Sequence, residues 1–156
     1  MHGDTQAYAK LKKKNGSLYW NVMNDGRLDM KKEIIVVDKL PKPPVPYSHG
    51  VKAGNFLFIA GQVGVDPANS KLKGSSIKEQ TEQALTNMTN VVKAAGSSME
   101  HVVKTTVFIS DFKDFEEMNK AYARFFPANQ PARSTVQVVL YDGFKVEIEA
   151  IAIIPS

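Results

Sequence analysis

Residues 76–96 constrain the fold more than any other stretch of the chain. Ser76 and Glu79 stand at the spacing of a capping box, in which each side chain satisfies a backbone N–H that the helix leaves free. Apolar residues then recur at Ile77, Ala84, Leu85, Met88, Val91, Val92 and Ala95, one face of a helical period, and Gly96 supplies the stop. A second helix is expected from Asp114 as N-cap with Glu117 near its third position. Its buried stripe is Phe115, Met118, Tyr122, Phe125 and Phe126, and Pro127 ends it.

The other periodic stretches read as strand. Residues 33–37 are rich in Ile and Val, and Pro41, Pro43, Pro44 and Pro46 then stiffen the chain. Val51 opens a strand, residues 53–55 turn, and residues 55–61 return. Residues 66–70 read as loop, and 102–109 as another strand. Strands over 134–140 and 146–154 close the chain, joined by a turn at 141–144. The order is β-β-β-α-β-α-β-β, an α+β domain in which two helices can cover only one face of the sheet. In the last strand Val146, Ile148, Ala150, Ala152 and Ile154 point one way, and Glu147, Glu149, Ile151 and Ile153 the other. In the strand before it Val136, Val138 and Leu140 oppose Thr135, Gln137 and Val139. A face mixing Thr, Gln and Glu with Val and Ile is too apolar for solvent and too polar for a core. It suits a subunit interface with a polar pocket at its edge, so a homo-oligomer is expected.

Composition narrows the chemistry. The chain has 156 residues, enough for one domain with a real core. Cysteine is absent, which excludes disulfides, thiolate metal sites and thiol nucleophiles together. His2, His49 and His101 fall at no familiar metal spacing, so no metal is expected. The net charge of +4 is far from the basic stripe of a dedicated nucleic-acid binder, and nucleic acid is not an expected partner. No stretch is long enough to span a bilayer, and no secretory apolar region lies near Met1, so the expected compartment is the cytoplasm. Residues 1–29, with Lys12-Lys13-Lys14 and the patch Leu18-Tyr19-Trp20, read as an extension to a domain spanning 30–156.

The candidates for chemistry are few. Arg133, in Pro131-Ala132-Arg133-Ser134-Thr135, sits where a loop becomes a strand, and a guanidinium there can hold a carboxylate through two parallel hydrogen bonds. Alone it reads better as a surface arginine or a structural ion pair. Arginine is scarce, however, with three against seventeen lysines. Glu147 and Glu149 project to one face, as a solvated edge or as a carboxylate that orients water. Tyr47 follows Pro46 in the stiff segment, where its hydroxyl can bond a substrate or its ring can simply pack. Asn119 lies on the polar side of helix two beside Tyr122. Gly61 ends a strand, where a bend or a close ligand approach calls for glycine. His49 reads as a surface-loop histidine unless it enters a pocket. Ser48, Ser134 and Asp111 form no triad motif, and glycine-rich phosphate fingerprints are absent.

Seven segments in order resemble the Rid family of reactive-intermediate deaminases, also called the YjgF family. They are Pro46-Tyr47-Ser48, Ala60-Gly61-Gln62-Val63, Glu79-Gln80-Thr81, Val103-Lys104-Thr105-Thr106-Val107-Phe108, Asn119-Lys120-Ala121-Tyr122, Pro131-Ala132-Arg133-Ser134-Thr135-Val136 and Val146-Glu147-Ile148-Glu149-Ala150-Ile151-Ala152. The resemblance implies a chorismate-mutase-like homotrimer with sites in clefts between subunits. It also implies cofactor-free hydrolysis of 2-imino acids, such as 2-iminobutanoate and 2-iminopropanoate, to 2-oxo acids and ammonia. By the same resemblance Arg133 binds the substrate carboxylate and Glu147 is linked to the attacking water. Tyr47, Gly61, Asn119 and Thr135 complete the site. Thr135 stands where the family often has cysteine, Val45 where glycine is common, and Ala60 where serine is frequent. Two other classes stay open at this point. One is an endoribonuclease acting on single-stranded RNA, which the family label suggests but no row of exposed aromatics supports. The other is a non-enzymatic, metabolite-binding trimer.

Overall fold

The structure, a computed structural model, describes residues 31–43, 45–141 and 143–155. The expected 1–29 extension, Pro44 and Asp142 therefore lie outside the described residues.

A six-stranded sheet carries the domain in the spatial order β1 (Lys32–Ile35), β2 (Gly50–Ala53), β3 (Phe56–Val63), β8 (Val146–Ile153), β6 (Val102–Ile109) and β7 (Ala132–Gln137). Every pairing is antiparallel except β6 with β7, which are parallel because α2 (Phe115–Ala123) crosses between them. Helix α1 (Ile77–Ala94) and α2 pack together, and the core they form with the sheet includes Leu57, Ile59, Leu85, Met88, Val91, Val107, Met118 and Ile148. The expected α+β arrangement, two helices on one side of a sheet, is the one observed.

The capping box of α1 is formed: Glu79 N–H donates to Ser76 Oγ at 3.2 Å, and Ser76 N–H to Glu79 Oε2 at 3.2 Å. At the other end Gly96 takes φ +76°, and Ser97 N–H reaches back to the Val92 carbonyl at 3.0 Å, a left-handed stop that glycine alone adopts freely. The second helix begins differently from the expectation. Asp114 holds the N-cap position but caps nothing; its carboxylate pairs with Lys145 Nζ at 2.9 Å. Asp111 caps instead, accepting from Lys113 N–H at 2.9 Å, and starts a 3₁₀ turn over Phe112–Asp114 that feeds the helix.

The expected loop at 66–70 is observed over residues 67–70, as the tip of a small hairpin of β4 (Val65–Asp66) with β5 (Lys71–Leu72). One further expectation is corrected. The strand expected over 134–140 is shifted to Ala132–Gln137, because its partner β6 ends at Ile109, opposite Gln137.

The uncovered sheet face is apolar over much of its area. Register sets Ile34, Val51, Phe58 and Ile151 in one row and Ala53, Phe56 and Ile153 in the next. Phe56 and Phe58 are about half exposed, at 50% and 47%. Toward β7 the face turns polar, with Glu149, Thr106 and Ser134 in one row and Glu147, Phe108 and Val136 in the next. No helix among the described residues is long and apolar enough to cross a membrane.

Candidate functional site

One group of predicted residues gathers on the uncovered face. In β8 the even-numbered residues Val146, Ile148, Ala150 and Ala152 are buried, so Glu147 points away from the helices. Its neighbour strand β3 carries an extra residue there: Ile59 pairs with Ala150 but Gln62 pairs with Ile148. This β-bulge falls on Ala60-Gly61 and is bridged by Gln62 Nε2 donating to the Ala60 carbonyl at 2.9 Å. The glutamate side chain lies in the space a side chain at 61 would take. A Cβ built on Gly61 would sit 2.6 Å from Glu147 Cδ and 2.8 Å from its Cγ. Gly61 is therefore required for room.

Burial, and then the charge of Glu149, push the Glu147 carboxyl above the usual carboxylate range. Tyr47 is coupled to it. Burial, followed by the Glu147 charge, raises the Tyr47 hydroxyl, so phenol and carboxyl share one environment. The Tyr47 ring meets His49 edge-on, with centroids 5.7 Å apart. His49 is fixed in turn by Nε2 donating to the Pro41 carbonyl at 2.9 Å, which makes it a brace.

A second group gathers on the helix side of β7. Arg133 is level with buried Thr105 of β6, and its guanidinium carbon lies 4.7 Å from the Tyr122 ring centroid and 5.9 Å from that of Phe115. Asn119 falls between Phe115 and Tyr122 on one helical stripe, since the positions are four and three residues apart. Thr135 follows Arg133 by two residues on the same face of β7. Among the described residues the Arg133 guanidinium makes no ion pair.

The two groups do not meet within one chain. Thr105 marks the level of Arg133 and Phe108 the level of Glu147, an odd separation that puts the two side chains on opposite faces. Two strand spacings and three residues separate their backbones, on the order of 14 Å. Two surface grooves, one between the helices at Lys78, Glu82 and Lys120 and one at Ser110 and Val138–Leu140, contain none of the six predicted residues. No cluster of potential metal ligands exists among the described residues.

Three contributors escaped the sequence reading. Tyr122 is the core residue the helical stripe predicts, and its ring also carries Arg133; the 115, 119, 122 spacing is the available signal for that second contact. Thr105 bonds the Tyr122 hydroxyl at 2.8 Å. Buried Gln80 donates to the Gly143 carbonyl at 3.0 Å and accepts from Lys145 N–H at 2.9 Å, so it anchors the start of β8 two residues before Glu147. No local pattern shows that bond, because its partners are more than sixty residues away.

Comparison with known proteins identifies the family. Residues 37–154 match the family model described as endoribonuclease L-PSP. The human 2-iminobutanoate/2-iminopropanoate deaminase is 41% identical over 123 residues, covering 78% of this chain and 90% of that one. The Arabidopsis thaliana protein named Reactive Intermediate Deaminase A, chloroplastic, is 44% identical over 124 residues, 79% of this chain and 66% of its own length. The crystal structure of the E. coli YjgF gene product superposes with a TM-score of 0.74 at 38% identity, covering 78% of this chain and 98% of that one. With its helix-backed sheet, its bulge at Ala60-Gly61 and its seven ordered motifs, the chain belongs to the Rid, or YjgF, family.

Proposed function

We propose that this protein hydrolyses 2-imino acids to 2-oxo acids and ammonia, at sites formed where one copy of the chain meets another in a homotrimer. The observation that carries the reading is the separation of the two half-sites. An arginine without an ion pair among the described residues and a carboxyl of raised pKa each stand in ordered surroundings, on opposite faces of one sheet. A second copy laid against the uncovered face would bring its own Arg133 to the first copy's Glu147. It would also cover Phe56, Phe58 and Ile153. The names of the human and Arabidopsis relatives support the substrate class.

The chemistry needs little. A protonated imine carbon is already electrophilic, so the reading calls for no cofactor. Arg133 holds the substrate carboxylate with two parallel hydrogen bonds, and Asn119 and Thr135 line the same side. Glu147 takes a proton from water as its oxygen adds to the C=N carbon. That proton passes to the nitrogen, the C–N bond breaks and ammonia leaves, and the hydroxyl proton returns to Glu147 as the carbonyl forms. The Tyr47 hydroxyl is placed to bond the substrate nitrogen or the new oxygen.

The test generates 2-iminobutanoate from threonine with a dehydratase, traps residual imine with semicarbazide and follows its loss. The wild-type chain should accelerate that loss and Arg133→Ala should not. Mixing tests the shared site. Arg133→Ala and Glu147→Gln chains, each inactive, should after joint refolding recover about a quarter of wild-type activity, the fraction of contacts that unite an intact arginine with an intact glutamate. No recovery from mixed trimers would place both residues in one chain's site and sink the shared-site reading.

A further inference from the structure

Arg133 is a long side chain on an edge strand. Among the described residues it has no carboxylate within ion-pair range. A guanidinium in that position would ordinarily sample many rotamers, which is a poor start for a two-point clamp. The structure holds it by other means. Its guanidinium carbon lies 4.7 Å from the centroid of the Tyr122 ring, well inside the range of a cation–π contact, while Phe115 stands farther off at 5.9 Å.

The shelf itself is fixed. Tyr122 is 5% exposed, and its ring stacks at 4.7 Å on Phe126. Its hydroxyl and Thr105 Oγ1 are 2.8 Å apart, and Thr105 is fully buried on the β6 residue that pairs with Arg133. The two anchor points therefore come from the helix and from the strand beside the arginine. A ring tied at both ends can dictate the plane of the cation resting on it.

We infer that Tyr122 is a positioning residue: its ring, locked by Thr105, pre-orients the Arg133 guanidinium so that its N–H edge is free for a planar carboxylate. The ring does the positioning, and the hydroxyl serves only to hold the ring. A guanidinium lying flat on that ring has one face covered and its in-plane donors open, which is the geometry that bidentate carboxylate binding uses. This inference rests on the carboxylate-binding role proposed for Arg133, and it does not require turnover.

The test is a binding experiment with 2-oxobutanoate, the product of the proposed reaction, titrated calorimetrically into the full chain. Tyr122→Phe keeps the ring and should bind within about threefold of wild type. Tyr122→Leu and Tyr122→Met remove it and should weaken binding roughly fivefold, the size of a cation–π contact at an exposed guanidinium. In the imine assay the same two variants should raise KM by that factor and leave kcat within about threefold. A merely structural role would lower the active fraction, and so kcat, at unchanged KM. The arginine Nε–H spectrum reports the contact directly, and with only Arg27, Arg124 and Arg133 in the chain it is readily assigned. The Arg133 signal should lie upfield from the ring current in wild type and Tyr122→Phe, and lose that shift in Tyr122→Leu and Tyr122→Met. Folded Leu or Met variants that bind 2-oxobutanoate as wild type does would overturn the inference, as would an Arg133 signal with no ring-current shift. The second criterion holds even where a variant fails to fold, since it is read on wild type. Should wild type bind 2-oxobutanoate through Arg133 yet turn over no imine, the deaminase reading fails and the shelf stands.

Discussion

Replacing Gly61 by alanine tests the half-site on the uncovered face with the smallest possible change. The added Cβ would fall 2.6 Å from Glu147 Cδ and 2.8 Å from Cγ, against the 3.4 Å or more of ordinary contact. The carboxylate must retreat by roughly an ångström, and its own oxygen lies closer still. Gly61 is not among the glycines of positive φ, so the backbone accepts alanine without strain. The obstructed atoms are the end of a flexible side chain, which can swing aside, so the cost to stability should stay under about 1 kcal/mol. The cost to catalysis should be far larger, because displacing a reacting group by about 1 Å can lower a rate by about 100-fold. That corresponds to about 2.7 kcal/mol of transition-state stabilisation. The assay is kcat/KM for loss of 2-iminobutanoate, with urea unfolding run in parallel. Since both changes act on one carboxylate, Gly61→Ala combined with Glu147→Gln should be no worse than Glu147→Gln alone. A Gly61→Ala protein with wild-type kcat/KM would refute the placement of Glu147 at the reacting centre.

The remaining predictions concern charge and burial. Arg133→Lys should recover less than about tenfold of the activity lost in Arg133→Ala, since a point charge cannot give two parallel bonds, as kcat/KM of the two variants will show. The raised pKa of Glu147 means that the folded chain holds this proton more tightly than the unfolded chain does. The resulting stabilisation is full below about pH 4.3, the unfolded value, and is lost as pH rises through the folded pKa. Glu147→Gln should therefore be more stable than wild type at neutral pH and lose that advantage near pH 4, as measured by urea unfolding at both values. For the same reason the acidic limb of kcat/KM should lie above the ordinary carboxylate range. Gln80→Leu removes the bonds of a buried side chain to the exposed Gly143 carbonyl and the half-buried Lys145 N–H, and should lower the unfolding free energy by about 1–2 kcal/mol by denaturant titration.

The fold was legible wherever a local pattern determines it. Ser76 with Glu79, the helical stripe behind them and Gly96 all act within a few residues, and the structure shows each in the expected role. The alternation in β8 likewise identified the buried face. Failures came where a distant partner decides. Asp114 has the sequence credentials of a cap, but Lys145, thirty-one residues away, takes its carboxylate. The strand after Arg133 was drawn too long because β6 supplies hydrogen-bonding partners only as far as Ile109.

The site shows the same division more sharply. The family resemblance singled out Arg133 and Glu147, but alternation along a strand says only that Glu147 shares a face with Glu149 and Ile151, and Arg133 with Thr135. Whether those two faces coincide depends on the registers of β7 and β8 against β6, which no local pattern in either strand records. The register sets Arg133 beside Thr105 and Glu147 beside Phe108. A slip of one residue in either pairing would have put both on one side, within reach of each other in a single chain. The observed parity forbids it, and Tyr122 and Gly61 secure the two side chains where they are. The proposed carboxylate clamp, Arg133, has its support on the helix side, and the proposed base, Glu147, has its space on the open side. Neither can be moved to the other's face without losing that support. Joining them takes a second sheet laid against the first, so the register that divides the site within one chain is also what makes self-association a condition of the proposed chemistry.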